Sequence, residues 1–224
     1  MNNFYAYAQE RTRTLMYSVF GWMSFALTLT GLSAFYVAST PSIMVYLSQH
    51  TGVVIGLIIA QFALVVALSG LVNRLSFTTA LVLFMFYSAL TGITLSSIFM
   101  IYTMSSIAAT FFVTAGMFGG MALYGAFTKA DLTGMGSFLI MALWGIILAM
   151  LVNLFLQSPA FNYAISMVAV VVFALLTAWD VQRIKALAQY DLPEAASITL
   201  ALSLYLNFIN LFLSLLDLMG QRKE

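Results

Sequence analysis

The last hydrophobic stretch of the chain, Ala195 to Leu218, confines its strongly polar residues to one side. Beyond Ser197 near its mouth, Thr199, Ser203, Asn207, Asn210, Ser214 and Asp217 follow at steps of 4, 4, 3, 4 and 3. That is the period of one face of an α-helix. The positions between them are nearly all Leu, Ile, Ala and Phe. A segment this long and apolar spans a bilayer. Amide and carboxyl groups at membrane depth are costly unless they meet partners or water, so the polar face is expected to look into the protein. The helix is therefore expected at the centre of a bundle, walled by the other segments.

Six further apolar runs precede it, at about Leu15–Val37, Gly52–Val72, Phe77–Tyr102, Ile107–Phe127, Gly134–Leu156 and Tyr163–Trp179. Each is long enough to cross a membrane. The first is too long for the ~7–15-residue apolar core of a cleavable signal and is expected to stay as an anchor. Ala38 to Thr51 is expected as an uncharged loop with Pro41 and the only histidine, His50; within it Ile43 to Leu47 is expected along the interface. The third span is long, which predicts a tilt. Lys129-Ala130-Asp131 and the stretch around Asp191, Pro193 and Glu194 read as polar turns. The expected organisation is a short cytosolic amino-terminal segment over 1–14, one seven-helix membrane domain over 15–218 and a short tail over 219–224. The fold class is an all-α membrane protein of seven transmembrane helices, the seventh surrounded by the other six.

Composition supports this reading. The chain is 63% hydrophobic and 7% charged, far from a soluble domain. No charge intervenes between Arg13 and Arg74, Arg74 and Lys129, or Asp131 and Asp180. No basic run suggests nucleic acid. Without cysteine there are no disulfides, thiolate nucleophiles or thiolate metal sites. With the amino terminus inside, Arg11, Arg13, Arg74, Lys129, Arg183 and Lys185 are cytosolic and only Arg222 and Lys223 lie outside, which fits the positive-inside rule.

Enzymatic motifs are missing. There is no H-E-x-x-H, no G-x-S-x-G and no G-x-x-x-x-G-K. A single histidine cannot form a histidine metal cluster. Asp180 and Asp217 are expected towards opposite surfaces, too far apart for a protease dyad. No catalysis, cofactor or defined metal site is expected. Gly116 and Gly120 on the fourth span form a small-xxx-small pair, with Gly119 and Gly125 alongside, expected to serve packing inside the bundle. The 14 methionines and 19 phenylalanines are scattered and read as core filling and lipid-facing surface.

The pair with chemical content is Asp180 and Asn207. Their midpoint falls beside Pro193, so an antiparallel hairpin of spans six and seven sets them at one depth, up to ~20 Å from the turn along regular helices. A carboxylate there needs a partner, and Arg74 and Arg183 are the candidate cations. Two readings stand side by side. In one, Asp180 is a helix-end residue paired with Arg183 among wet headgroups. In the other it is an acidic element of an ion path or protonation gate, with Ser203 and Asn210 along the same stripe.

Leu202-Ser203-Leu204-Tyr205-Leu206-Asn207-Phe208-Ile209-Asn210-Leu211-Phe212 resembles the carboxy-terminal signature of the Bax inhibitor-1 (transmembrane Bax inhibitor motif) family. Supporting matches are Thr91-Gly92-Ile93-Thr94-Leu95-Ser96, Asp180-Val181-Gln182-Arg183-Ile184 and the turn Thr128-Lys129-Ala130-Asp131. The resemblance implies a seventh helix enclosed by six others. It also implies a pH-sensitive calcium leak gated by two aspartates, one each on spans six and seven. Asp180 matches the first; Asn207 stands where many members have the second. The amide still accepts hydrogen bonds but cannot ionise, so one negative charge is missing and a two-carboxylate titration is not available to this chain. The resemblance implies, alternatively, a non-conducting regulator, either restraining a membrane protease or acting in stress and cell-death control. Expected partners are the lipid bilayer, calcium or other cations, and a membrane protease or other membrane protein. The expected location is a bacterial inner membrane.

Overall fold

The structure, a computed structural model, describes residues 2–223, with side chains from residue 9 onward. Met1 and Glu224, the ends of the expected amino-terminal segment and tail, lie outside the described residues. The described chain is helical: α1 (Asn2–Ala38), α2 (Pro41–Gln49), α3 (Thr51–Gly70), α4 (Phe77–Leu95), α5 (Ile98–Ile101), α6 (Met104–Phe127), α7 (Thr133–Leu156), α8 (Pro159–Leu187) and α9 (Ala196–Met219). Among the described residues seven segments have the length and apolarity to cross a membrane: α1 from Gln9, α3, α4 with α5, α6, α7, α8 and α9.

Local chemistry explains the boundaries and corrects four expectations. The amino-terminal polar residues continue α1 instead of preceding it, because no Gly or Pro interrupts the chain before Gly21. The expected loop after α1 is mostly the helix α2, with Pro41 in its first turn, where its missing N–H costs nothing. The third span is not one continuous helix. The hydroxyls of Ser96 and Ser97 donate back to the carbonyls of Ile93 (2.7 Å) and Thr94 (3.1 Å), and the helix stops at Leu95 before resuming as α5. The sixth span does not end at Trp179: α8 runs on to Leu187 with Asp180, Arg183 and Lys185 inside it. Elsewhere Ser76 caps α4 by accepting from Thr79 N, and Thr103 caps α6 by accepting from Ser106 N. Gln157, in the left-handed region at φ 49°, closes α7.

The helices form two compact units, one of residues 1–102, 188–205 and 223–224, the other of residues 103–187 and 206–222. In the first, α1 packs on α4. Gly92 is required there, since a Cβ would fall on the Ser33 hydroxyl and the Thr30 carbonyl. Tyr205 is fully buried, edge-on to Phe84 and Tyr87, and its hydroxyl lies 2.6 Å from Thr30 Oγ1. Thr30 Oγ1 also donates to the Ser88 carbonyl at 2.9 Å.

In the second unit α8 packs against α6 and α7. A Cβ on Gly125 would strike the Ala178 carbonyl, and one on Gly136 would enter the Trp179 ring. The glycine expectation is corrected here. Gly116 and Gly120 are exposed, with open space where their Cβ atoms would be, so the close approach of α6 falls at Gly125 instead. Phe208 of α9 sits between Phe111 and Phe118 of α6, with ring centroids 5.5 and 5.4 Å away.

Candidate functional site

Asp180 and Asn207 meet within the second unit. Asn207 Nδ2 donates to Asp180 Oδ2 at 2.8 Å, and the two residues are only 6% and 3% exposed. A buried carboxylate is tolerable only with hydrogen-bond partners, and the amide provides one. The helix-end alternative is overturned, because α8 continues past Asp180 to Leu187 and Val181 and Ile184 are buried there too. Arg183 is exposed, its guanidinium 5.3 Å over the Trp179 ring. Arg74 belongs to the first unit, where it is exposed in the turn after α3.

The rest of the α9 stripe is bonded locally or half-buried. Asn210 Nδ2 donates to the Leu206 carbonyl and Ser214 Oγ to the Asn210 carbonyl, both at 2.8 Å. In the first unit Ser203 is half-buried, and Thr199 Oγ1 donates to the Leu68 carbonyl at 3.2 Å. Residues 196–218 are all buried or half-buried. α9 shares the highest degree of enclosure with α8; 67% of the most apolar window of each is buried.

A second polar centre was not anticipated. Asp217 Oδ2 accepts from Asn162 Nδ2 at 2.6 Å and from Ser166 Oγ at 2.7 Å. Its Oδ1 lies 4.0 Å from Arg222, and its side chain is 22% exposed. Asn162 and Ser166 are spaced i, i+4 on α8, so both address one point on α9. That spacing was the available signal, hidden because the sixth apolar run was drawn from Tyr163 and left Asn162 just outside it. The α8–α9 pair thus carries a carboxylate towards each end. Asn207 and Asp217 are separated by ~15 Å along α9 at 1.5 Å per residue.

Gln182, within the Asp180–Ile184 motif, has a distinct task. Its Oε1 accepts from Leu132 N and its Nε2 donates to the Ala130 carbonyl, each at 2.8 Å. Lys185 Nζ donates to the Ala126 carbonyl. Together they fasten the α6–α7 turn to α8. Asp131 in that turn accepts from Thr133 N at 2.9 Å, and its hydrogen bonding to Thr133, side chain first and then backbone, holds its carboxyl below the usual range. In the first unit, Arg11 donates to the Tyr190 carbonyl and to Asp191 Oδ1 at 2.9 and 3.0 Å. It borders a cavity of about 500 Å³ that Glu10, Thr14, Ser18 and Ser197 also line. Among the described residues no group of three or more His, Asp or Glu side chains gathers as a metal-binding cluster.

Comparison with known proteins places this geometry in a lineage. The family model described as "Inhibitor of apoptosis-promoting Bax1" matches residues 12–224. The inner membrane protein YbhL of Escherichia coli K12 is 51% identical over 217 residues, covering 94% of this chain and 93% of that protein. An uncharacterized protein of Borreliella burgdorferi is 47% identical, covering 92% of this chain and 91% of its own length. One of Rickettsia prowazekii is 43% identical, with 96% and 92% covered. With a matching signature along its last helix and a family model that spans nearly its whole length, the chain belongs to the Bax inhibitor-1 family of multi-pass integral membrane proteins.

Proposed function

We propose that the protein is a cation leak of a bacterial inner membrane, calcium being the expected ion, with the polar stripe of α9 as its lining and Asp180 and Asn207 as its gate. The supporting observation is the 2.8 Å hydrogen bond between the two side chains, both enclosed, on helices apolar enough to span a bilayer. An intramembrane carboxylate is expensive and marks ion or proton pathways. Here its neutral partner can turn its amide oxygen towards a cation, or its N–H towards Asp180, and so exchange one for the other. In this proposal α9 is surrounded by the other six spans, the amino terminus is cytosolic, and Arg74 and Arg183 supply positive charge near the inner mouth. The inner-membrane location follows the similarity to YbhL, an inner membrane protein of Escherichia coli.

The missing second carboxylate favours a second reading. With Asn207 fixed on Asp180 and unable to ionise, the closed pair also suits a non-conducting regulator that restrains a membrane protease or acts in stress control. Cation-dye fluorescence in proteoliposomes separates the two. The leak reading expects flux above that of protein-free vesicles, lowered at least several-fold by Asp180→Asn. Flux equal to that of empty vesicles across the tested pH range eliminates the leak and leaves the regulator.

A further inference from the structure

We infer that Asp217, Asn162 and Ser166 form a second, weak binding site for a hard cation, calcium in the first instance, at the end of the α8–α9 pair remote from Asp180. The site stands on its own geometry. Its role as a station on a leak path rests on the reading above.

Three helices bring oxygen to one depth. α9 supplies Asp217 and, one turn earlier, the buried Ser214. α8 supplies Asn162 and Ser166, already in contact with the carboxylate. The third contributor is α6. Ser106 Oγ accepts from Gln221 N at 2.9 Å, and the Phe111 ring packs on Phe212, so α6 runs antiparallel to the end of α9. That register sets Thr110 level with Ser214 and Asp217. Thr110 is 1% exposed, and its hydroxyl has no hydrogen-bond partner among the described residues. A buried polar group left in that condition is costly and calls for an explanation. A cation, or its hydration water, at this level gives that oxygen a partner.

The donor set selects the ligand. A carboxylate, hydroxyls and an amide, whose oxygen replaces its nitrogen by a half-turn, are all hard oxygen donors and suit calcium over softer metals. One formal charge makes the site weak, in the range of roughly 10⁻⁴–10⁻³ M or above that charge-poor calcium sites show. Weak binding is what a permeation station needs, since the ion must also leave. Arg222, on the exposed chain just past α9, faces Asp217 at 4.0 Å as a tethered counter-ion that an arriving cation displaces.

The test is calorimetric titration of the full-length protein in detergent with calcium chloride, with sodium chloride as competitor and thermal unfolding as a check on folding. The native protein should bind calcium weakly. Asp217→Asn should weaken binding about tenfold or more, and Asp191→Asn, at an exposed carboxylate of the first unit, should leave it within about twofold. Arg222→Gln, at an exposed residue whose ion pair is worth at most about fivefold in affinity, should tighten binding by up to that factor; it decides the matter should Asp217→Asn fail to fold. Native protein that takes up no calcium at tens of millimolar, or binding indifferent to both Asp217→Asn and Arg222→Gln, overturns the site. Binding that depends on Asp217 in a protein without flux leaves this site standing and removes the leak; flux with binding indifferent to Asp217 does the reverse.

Discussion

Restoring the second carboxylate is the most searching perturbation of the Asp180–Asn207 pair. Asn207→Asp replaces a donor 2.8 Å from Asp180 Oδ2 with a second oxygen acceptor in a nearly closed site. Two unit charges at that distance repel by about 6 kcal/mol at an effective dielectric of about 20. Keeping one proton on an ordinary carboxylate at pH 7 costs about 4 kcal/mol, three units above its usual value. Repulsion exceeds that cost, so the variant pair holds one proton at neutral pH and resembles an acid dyad. The proton leaves as pH rises, which doubles the negative charge of the site. If that charge recruits the cation, flux through the variant should be small in acid and grow as pH rises and the shared proton leaves.

The native protein has no second proton to lose, so its calcium leak should exceed that of empty vesicles but stay well below that of the variant at high pH, with a flat response to pH at this pair. The assay is calcium-dye fluorescence in proteoliposomes over about pH 5–9, the window extended past neutrality on the same energies. Native protein, Asn207→Asp, and Asn207→Asp with Asp180→Asn are compared. The double variant should lose both the added flux and its pH dependence. Native flux that is already large and steeply pH-dependent, and that none of the substitutions alters, refutes the assignment of the gate to this pair.

Two further predictions concern the frame that holds the site. Gln182→Ala removes both hydrogen bonds that fasten the α6–α7 turn and should cost about 2 kcal/mol at about 1 kcal/mol each, read as a lower unfolding temperature in detergent; no change would mean that Lys185 and Asp131 hold the turn without it. Gly125→Ala forces a methyl onto the Ala178 carbonyl and should destabilise by about 1–3 kcal/mol, whereas Gly120→Ala, facing open space inside α6, should stabilise by up to about 1 kcal/mol through helix propensity in the same measurement. Equal behaviour of the two glycine variants would contradict the packing described for α6.

The seven spans were legible in the sequence because charge is so rare that each uncharged run stands out, and their number does not depend on tertiary contacts. The Asp180–Asn207 contact was legible for a different reason. A hairpin folded at Pro193 fixes the depth of residues equidistant from it, and hydrogen bonding at a buried carboxylate does the rest. The break in the third span was not, since a serine pair in an apolar helix is usually tolerated, and only its bonds to Ile93 and Thr94 show that the backbone lost the competition. The choice among glycines was equally hidden. Gly116 and Gly120 have the right spacing for helix contact, yet Gly125 makes it, because spacing does not say which face meets α8. Asn162 escaped notice because its partner lies 55 residues away and is fixed by the register of α8 against α9.

That register gives the two carboxylates of the second unit unequal settings. Asp180 is sealed, with an amide bonded directly to it, at a depth where apolar side chains such as Val181 and Ile184 exclude water. Asp217 is partly open, held by two neutral donors and facing the counter-charge of an exposed arginine. A charge in a sealed site is governed by its immediate partner, while one near the surface responds to ions and salt. On the proposed reading the resistance to flow therefore lies at Asp180, and substitutions there should change whether cations pass. Substitutions at Asp217 and Arg222 should change how concentration and ionic strength govern their arrival. Raising the salt from about 0.01 to 0.15 M shortens the screening length from about 30 to 8 Å, and should reduce the effect of Arg222→Gln on calcium affinity while leaving the effect of Asp180→Asn on flux intact. Equal salt sensitivity of the two effects would mean that the ends are electrostatically alike, and the division of labour between gate and receiving site would fall.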